Sequence, residues 1–325
     1  MLGKHVKAFR APLAACLAAA FAAWGPSADA RVTRIVIDTT TDLANPAVPG
    51  NLYQLVTGRA FGELDPNDPH NAIITDIQLA PKNANHNVEY IASFRIRKPK
   101  DMSTASGVVM WHDVPNRGGD VALPNDSFAG GDVQLLSGWQ GDNAGGTAVP
   151  ANVGCLPPCA PAFTNHYVKV PVLVGVTGQI LGRIVNRSGP GAQPLNVMGN
   201  PIPYFPATPA DNTGARLTIH SHETLTGVVT EGGTVPNSDW KFCGGGTFAA
   251  PTPVTTLPVQ LCLKAGFDPT KLYQLTYTVK DPYVLGAGTA AFRDVGSFFK
   301  NASADDFGTA NPLFGKINSA IIRGS

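Results

Sequence analysis

The run Ser319-Ala320-Ile321-Ile322-Arg323-Gly324-Ser325 carries the strongest indication of fold. Its apolar centre, flanked by polar residues, reads as a short buried strand of a parallel sheet. Working back from it, a polar loop leads to Thr289–Lys300. There Phe292, Val295 and Phe299 fall at i, i+3 and i+7, one face of a helix. Upstream, Gly286-Ala287-Gly288 follows Asp281-Pro282, which ends a segment where Tyr273, Leu275, Tyr277 and Val279 alternate with polar residues. Strand, helix and strand in succession predict a βαβ unit over 265–325.

The preceding region, 31–264, reads as strands. Residues 32–38 are rich in β-branched side chains, and from Val88 the apolar residues Tyr90, Ala92, Phe94 and Ile96 alternate with Glu89, Ser93, Arg95 and Arg97. Period two with one apolar face marks a half-buried strand. Similar runs occur at 73–79, 107–112, 167–174, 180–185 and 216–222, separated by Gly, Pro and Asn clusters. The expected architecture is a β-rich region, a sandwich or distorted sheet, leading into the βαβ unit.

Composition narrows the function. Glycine (35) and proline (28) make up about a fifth of the 325 residues, which disfavours an all-helical protein. With 43% hydrophobic residues the chain has ample material for a core, and a net charge of +1 gives no footing for a nucleic-acid surface. At the start, Lys4, Lys7 and Arg10 precede an apolar stretch from Leu13 to Trp24, and Ala28-Asp29-Ala30 follows. This is the order of a secretory signal peptide cut after Ala30. Leu13-Ala14-Ala15-Cys16 is no lipoprotein box, since the apolar core mostly follows the cysteine. Removal of 1–30 leaves a net charge of −1. No apolar run beyond residue 30 is long enough to span a membrane, so the expected location is periplasmic or secreted.

Cleavage would leave Cys155, Cys159, Cys243 and Cys262, an even number in an exported chain, which points to disulfides. Three pairings exist; Cys155–Cys159 and Cys243–Cys262 close the short loops. Zinc is the weaker alternative, because Cys243 and Cys262 have no histidine beside them.

The strand at 319–323 is followed by Gly324. In an α/β-hydrolase a buried strand runs directly into Gly-x-Ser-x-Gly, whose tight turn holds the nucleophilic serine up at the strand end. Further blocks carry the same likeness: Thr57-Gly-Arg-Ala-Phe-Gly-Glu-Leu-Asp-Pro-Asn-Asp-Pro-His70, Ile73–Pro81, Trp111-His-Asp-Val-Pro-Asn-Arg-Gly-Gly119, Gly138-Trp-Gln-Gly-Asp142, and Lys280-Asp-Pro-Tyr-Val-Leu-Gly-Ala-Gly288 with Arg293-Asp294. On these residues the chain resembles the α/β-hydrolase domain-containing proteins, a large family of exported bacterial hydrolases, over essentially all of 31–325. The resemblance implies that a Gly-x-Ser-Gln-Ser-Gly elbow follows the strand ending at Arg323. Gly324 is then its first glycine and Ser325 its variable position, and the nucleophile, acid and histidine lie downstream. The chain is thus expected to be the N-terminal portion of a serine ester or amide hydrolase, truncated at the elbow and inactive alone. A small-molecule ester or amide would be the substrate of the whole enzyme, with no cofactor, metal or nucleic acid.

The internal candidates for chemistry each have a plainer reading. His112 and Asp113 suggest half a triad, but neighbours on a strand point to opposite faces. His220 and His222 share a strand face that could hold a metal, yet Arg216, Thr218 and Thr224 make it read as a solvated surface. Asp65, Asn67 and Asp68 hint at calcium, but Pro69 and the missing Gly and Glu argue for a turn. Gly286 and Gly288 could offer N–H groups to an anion or simply let the helix begin. The alternative function is a non-catalytic exported β-domain that binds a polymer or small ligand, which exposed loop aromatics such as Trp139 or Trp240 would support.

Overall fold

Alternation at Tyr90, Ala92, Phe94 and Ile96 places four apolar side chains on one strand face, and all four are buried in a core shared with a single long helix. The computed structural model describes residues 31–50, 52–103, 108–143, 152–158, 165–197 and 200–324. In chain order the strands are β1 (Arg31–Ala44), β2 (Leu52–Leu64), β3 (Val88–Pro99), β4 (Val108–Val114), β5 (Val133–Ser137) and β6 (Val168–Lys169). There follow β7 (Thr177–Val185), β8 (Gln193–Pro194), β9 (Asn196–Val197), β10 (Asn200–Pro201), β11 (Arg216–Glu223) and β12 (Val229–Val235). The last are β13 (Trp240–Cys243), β14 (Gly245–Gly246), β15 (Pro251–Thr252), β16 (Gln260–Leu263), β17 (Leu272–Lys280) and β18 (Ile317–Gly324). The α-helices among the described residues are α1 (Pro69–Ala72), α2 (Asn125–Gly130) and α3 (Gly286–Asn301).

The larger sheet has the order β1-β2-β3-β5-β4-β18, with β6 paired to β3 beside this path. From β1 to β5 neighbours are antiparallel; β5, β4 and β18 are parallel. Helix α3 crosses one face and contacts β1, β2, β3 and β5, with the Phe299 ring edge-on to Phe94 at 4.8 Å. Its C-terminal carbonyls on Phe298, Phe299 and Ala302 accept from the Asn311 side-chain amide, so orphan carbonyls of the last turn are satisfied. Within the same sheet Arg59, wholly buried, donates to Asp38 at 2.9 Å and to the Val153 carbonyl at 2.7 Å. This ties the segment around Val153 to the strands.

The second layer system is all antiparallel. Its six-stranded sheet runs β10-β9-β7-β17-β11-β12, and a three-stranded sheet, β13-β16-β8, shares one core with it. Trp240, Phe242, Leu261 and Leu263 from the small sheet bury against Leu217, Leu275, Tyr277 and Val279. Cys243 and Cys262 form a disulfide between the adjacent strands β13 and β16. The β-rich expectation therefore holds. Cys159 and the proposed leader 1–30 lie outside the described residues, and so does the Cys155–Cys159 pairing.

Three local expectations are corrected. The βαβ reading of 265–325 joins the wrong strands. β17 lies in the six-stranded sheet between β7 and β11, whereas the parallel neighbour of β18 is β4. The reason is visible in its burial: β17 alternates buried and partly buried residues, and a strand covered on one face belongs in an antiparallel layer. β18 is parallel as expected but is not buried. It is the edge strand, with Ile321 43% and Ile322 69% exposed, because it lies beyond β4, the last strand against which α3 packs. Residues 73–79, read as a strand, turn instead. Asp68 caps α1, Asp76 takes a left-handed conformation (φ 62°), and a 3-10 turn covers Ile77–Leu79.

Candidate functional site at the ends of the parallel strands

Ligands of open α/β sheets sit beyond the carboxyl ends of the parallel strands, so chemistry is sought where β4, β5 and β18 finish, at Val114, Ser137 and Gly324. Because side chains alternate along β4, His112 and Asp113 project to opposite faces, and each meets a different partner.

On one face, Asp113 is fully buried and accepts from Arg323 Nε and Nη2, each at 2.7 Å. This bidentate pair locks the last turn of β18 to β4. Gln134 on β5 also donates to Asp113, and Arg97 on β3 donates to Gln134. Arg97 and Arg95 both pair with Asp120, at 2.6 and 3.0 Å. A polar chain thus links four strands, β18, β4, β5 and β3. The hydrogen bond from Arg323 to Asp113 raises the guanidinium pKa further, burial working against it. Burial would raise Asp120, but the bond and charges of Arg97 and the charge of Arg95 outweigh it and hold the carboxyl below its usual range. Nearby His166 is pushed down to about 4, chiefly by burial and then by Arg95.

On the other face, His112 Nε2 lies 2.9 Å from Ser137 Oγ. A serine beside a histidine has the form of a nucleophile and its base, and no local pattern announces it because the two residues sit on different strands. The surroundings disqualify it as an active site. Ser137 is fully buried, His112 is 3% exposed, and the Phe292 ring stacks on the imidazole at 3.7 Å. Gly296 of α3 lies so close that a Cβ there would be 2.7 Å from His112 Nδ1. Burial drops the imidazole pKa to about 3, so it is a poor base at neutral pH. The pair pins β4 to β5.

The loop after β4 is held by specific contacts. Arg117 (φ 52°) and Gly118 (φ 75°) are successive left-handed residues, and the segment following β5 staples them. The Trp139 indole N–H donates to the Pro115 carbonyl at 3.0 Å, and Gln140 Oε1 accepts from the Arg117 N–H at 2.6 Å. Arg117 also faces Asp142 at 3.8 Å. Next to Asp142 opens a cavity of about 370 Å³.

The remaining candidates disperse. Gly324 ends β18 and is exposed; Ser325 lies outside the described residues. A register shift separates His220 from His222: the former is buried, its Nε2 2.8 Å from Thr218 Oγ1, and the latter is exposed. Their shared solvated face is thus corrected for His220. Among the described residues no three His, Cys, Asp or Glu side chains gather as a metal site would require. Asp65 and Asp68 accept from the N–H groups of Asn67 and His70, as turn and cap residues do. The N–H groups of Ala287 and Gly288 are taken by Val284 and Leu285 carbonyls. Gly288 is required for another reason, since a Cβ there would lie 2.0 Å from the Trp139 carbonyl oxygen. Trp240 is 1% exposed and Trp139 is partly buried, so neither is an exposed loop aromatic.

No family model, curated protein or solved structure matches the chain.

Proposed function

We propose that this chain is the N-terminal portion of an exported serine hydrolase of the α/β type, acting on a small ester or amide, with the nucleophile elbow built on the end of β18. The observation that carries the reading is the strand order. In an α/β-hydrolase sheet an antiparallel pair precedes the parallel strands, and the third and fourth strands exchange places before the strand that feeds the elbow. The run β2-β3-β5-β4-β18 has that order and those directions. The stapled loop 115–119 then follows the third core strand, where this fold places one oxyanion-hole donor. The Asp113–Arg323 pair sets the height of Gly324 beside it.

In the complete enzyme the elbow serine attacks the acyl carbon while histidine takes its proton. Backbone N–H groups stabilise the resulting oxyanion, and the alcohol or amine departs with a proton returned by the histidine. This chain supplies the sheet, the loop and the strand end, but the attacking group belongs to the elbow. Export is part of the proposal: the Cys243–Cys262 disulfide is compatible with it, and among the described residues no helix is long and apolar enough to cross a membrane. Trp139 and Trp240, the loop aromatics looked to for polymer binding, are not presented for stacking.

A fluorophosphonate that labels activated serines tests the reading. The 325-residue chain should remain unlabelled. The reading frame extended through the elbow and the downstream half should label, and replacing its elbow serine by alanine should abolish labelling. An unlabelled extended protein refutes the proposal, as does labelling of the 325-residue chain that Ser325→Ala removes.

A further inference from the structure

We infer that the cavity beside Asp142 is the seat of the substrate's neutral apolar group, with one wall supplied by the second β-layer system. The identification of the occupant as part of an ester or amide rests on the hydrolase reading; the cavity itself does not. Its volume of about 370 Å³ falls in the range of about 300–1,000 Å³ typical of small-molecule sites. Val168 and Val170, both buried, form the wall on the side of the larger sheet, and Pro203 and Leu257 face them from the other layer system. Tyr283 completes the lining.

Placement ties this cavity to the strand ends. Gly141, four residues beyond β5, lies directly on the wall, where a Cβ would sit 2.5 Å from Val170 Cγ2. Asp142, at the mouth, is the residue that faces Arg117 of the stapled loop. A group bound here therefore sits next to the loop on which the reacting carbonyl would rest. The wall is preformed as well. The Leu173 N–H donates to the Pro282 carbonyl and the Val284 N–H to the Pro171 carbonyl, at 2.9 and 3.0 Å. These bonds zip the valine segment to the stretch that carries Tyr283. Edge-on contact with Tyr204, at 5.1 Å between ring centroids, holds the Tyr283 ring in turn.

The lining also selects by charge. The charged side chains at this cavity, Asp142 and Lys169, lie toward solvent, and Arg117 offsets Asp142. The buried walls are apolar apart from the neutral side chain of Asn143, so an ionised group drawn inside would lose hydration without gaining a counter-charge. A straight acyl chain or a single ring, attached to a neutral ester or amide, meets these conditions; a free carboxylate does not.

The neutral fluorophore N-phenyl-1-naphthylamine, bright only in apolar surroundings, tests the site on the 325-residue chain. Saturable enhancement is expected, displaced by methyl hexanoate and not by hexanoate at the same concentration. Leu257→Trp, which fills the cavity, should weaken probe binding at least tenfold. Asn83→Trp, in the adjoining cavity whose lining shares Lys169, Val170 and Val172 but not Pro203 or Leu257, should leave it unchanged. Should Leu257→Trp alter the far-UV spectrum, photolabelling of the unmodified chain with the methyl ester of a diazirine-bearing acid replaces it. Tags that include Pro203 or Leu257 support the site, and a tag pattern that includes neither refutes it. Absence of enhancement, equal displacement by hexanoate, or loss on Asn83→Trp in place of Leu257→Trp would each overturn the inference. None of these readouts involves a nucleophile, so failure of the hydrolase reading, seen in fluorophosphonate labelling, is distinguished from failure here.

Discussion

Replacing Asp113 by asparagine keeps the side-chain shape and removes the charge that Arg323 and Gln134 both address. Removing one member of a buried ion pair typically costs about 3–5 kcal/mol, because the other charge is left unpaired. Arg323 retains 27% side-chain exposure, so water replaces part of what it loses, and the expected cost falls to about 2–3 kcal/mol. The loss should be local. β18 has β4 as its sheet neighbour and little cover from α3, so its outer turn opens before the remainder of the sheet. Native-state hydrogen exchange resolves this, since about 2–3 kcal/mol speeds exchange of the β18 amides near Arg323 by about 30- to 150-fold in the equilibrium-opening regime. Amides of β17, in the other sheet, should be unaffected. The pair Asp113→Leu with Arg323→Met, which removes both charges, should recover much of the loss. Exchange in Asp113→Asn within threefold of the parent, or equal acceleration in β17, would refute the view that this pair fixes the end of β18.

Stability should fall on acidification through the two buried imidazoles. The unfolded chain takes up protons below pH about 6.5, whereas folded His166 resists to about 4 and His112 to about 3, so unfolding becomes easier as pH falls through that window, by about 1.4 kcal/mol per pH unit for each. His112→Gln, which can still bond Ser137, should halve that slope in urea titrations between pH 6 and 4, and an NMR titration of His112 near pH 6.5 would contradict the assignment. Gly288→Ala should destabilise by about 1–3 kcal/mol through its clash with the Trp139 carbonyl, although the same change in an open helix stabilises by about 1 kcal/mol; an unchanged or raised urea midpoint would show that the helix shifts freely. Reducing Cys243–Cys262, 19 residues apart, should lower the unfolding midpoint of the β13–β16 layer, with a loss of about 2–4 kcal/mol; equal midpoints with and without reductant would rule out a stabilising role.

The sequence was most informative where one element's own pattern dictates its surroundings. Alternation in Val88–Pro99 and Leu272–Lys280 and the helical spacing of Phe292, Val295 and Phe299 specify which side chains are buried, and α3 and these strands stand where that pattern puts them. The short separation of Cys243 and Cys262 similarly anticipated their bond. A strand's own pattern does not say which strand lies beside it. β17, α3 and β18 look like one unit when read in order, and pairing energy between β18 and β4, some 200 residues apart, separates them into two sheets. The apolar run at 319–323 reads as buried because parallel strands usually are, but edge or centre is a property of the sheet, and here it is the edge. The candidate site divides in the same way. Gly324 and the Pro115–Gly119 loop were legible as motifs, since glycine and proline impose local geometry. Arg323 on Asp113, His112 on Ser137, and the cavity between Val170 and Leu257 join residues distant in the chain. Local propensities along the sequence determined the elements and their buried faces; only tertiary packing, through hydrogen-bonded pairing and close contact between remote segments, decided which elements became neighbours and what their ends brought together.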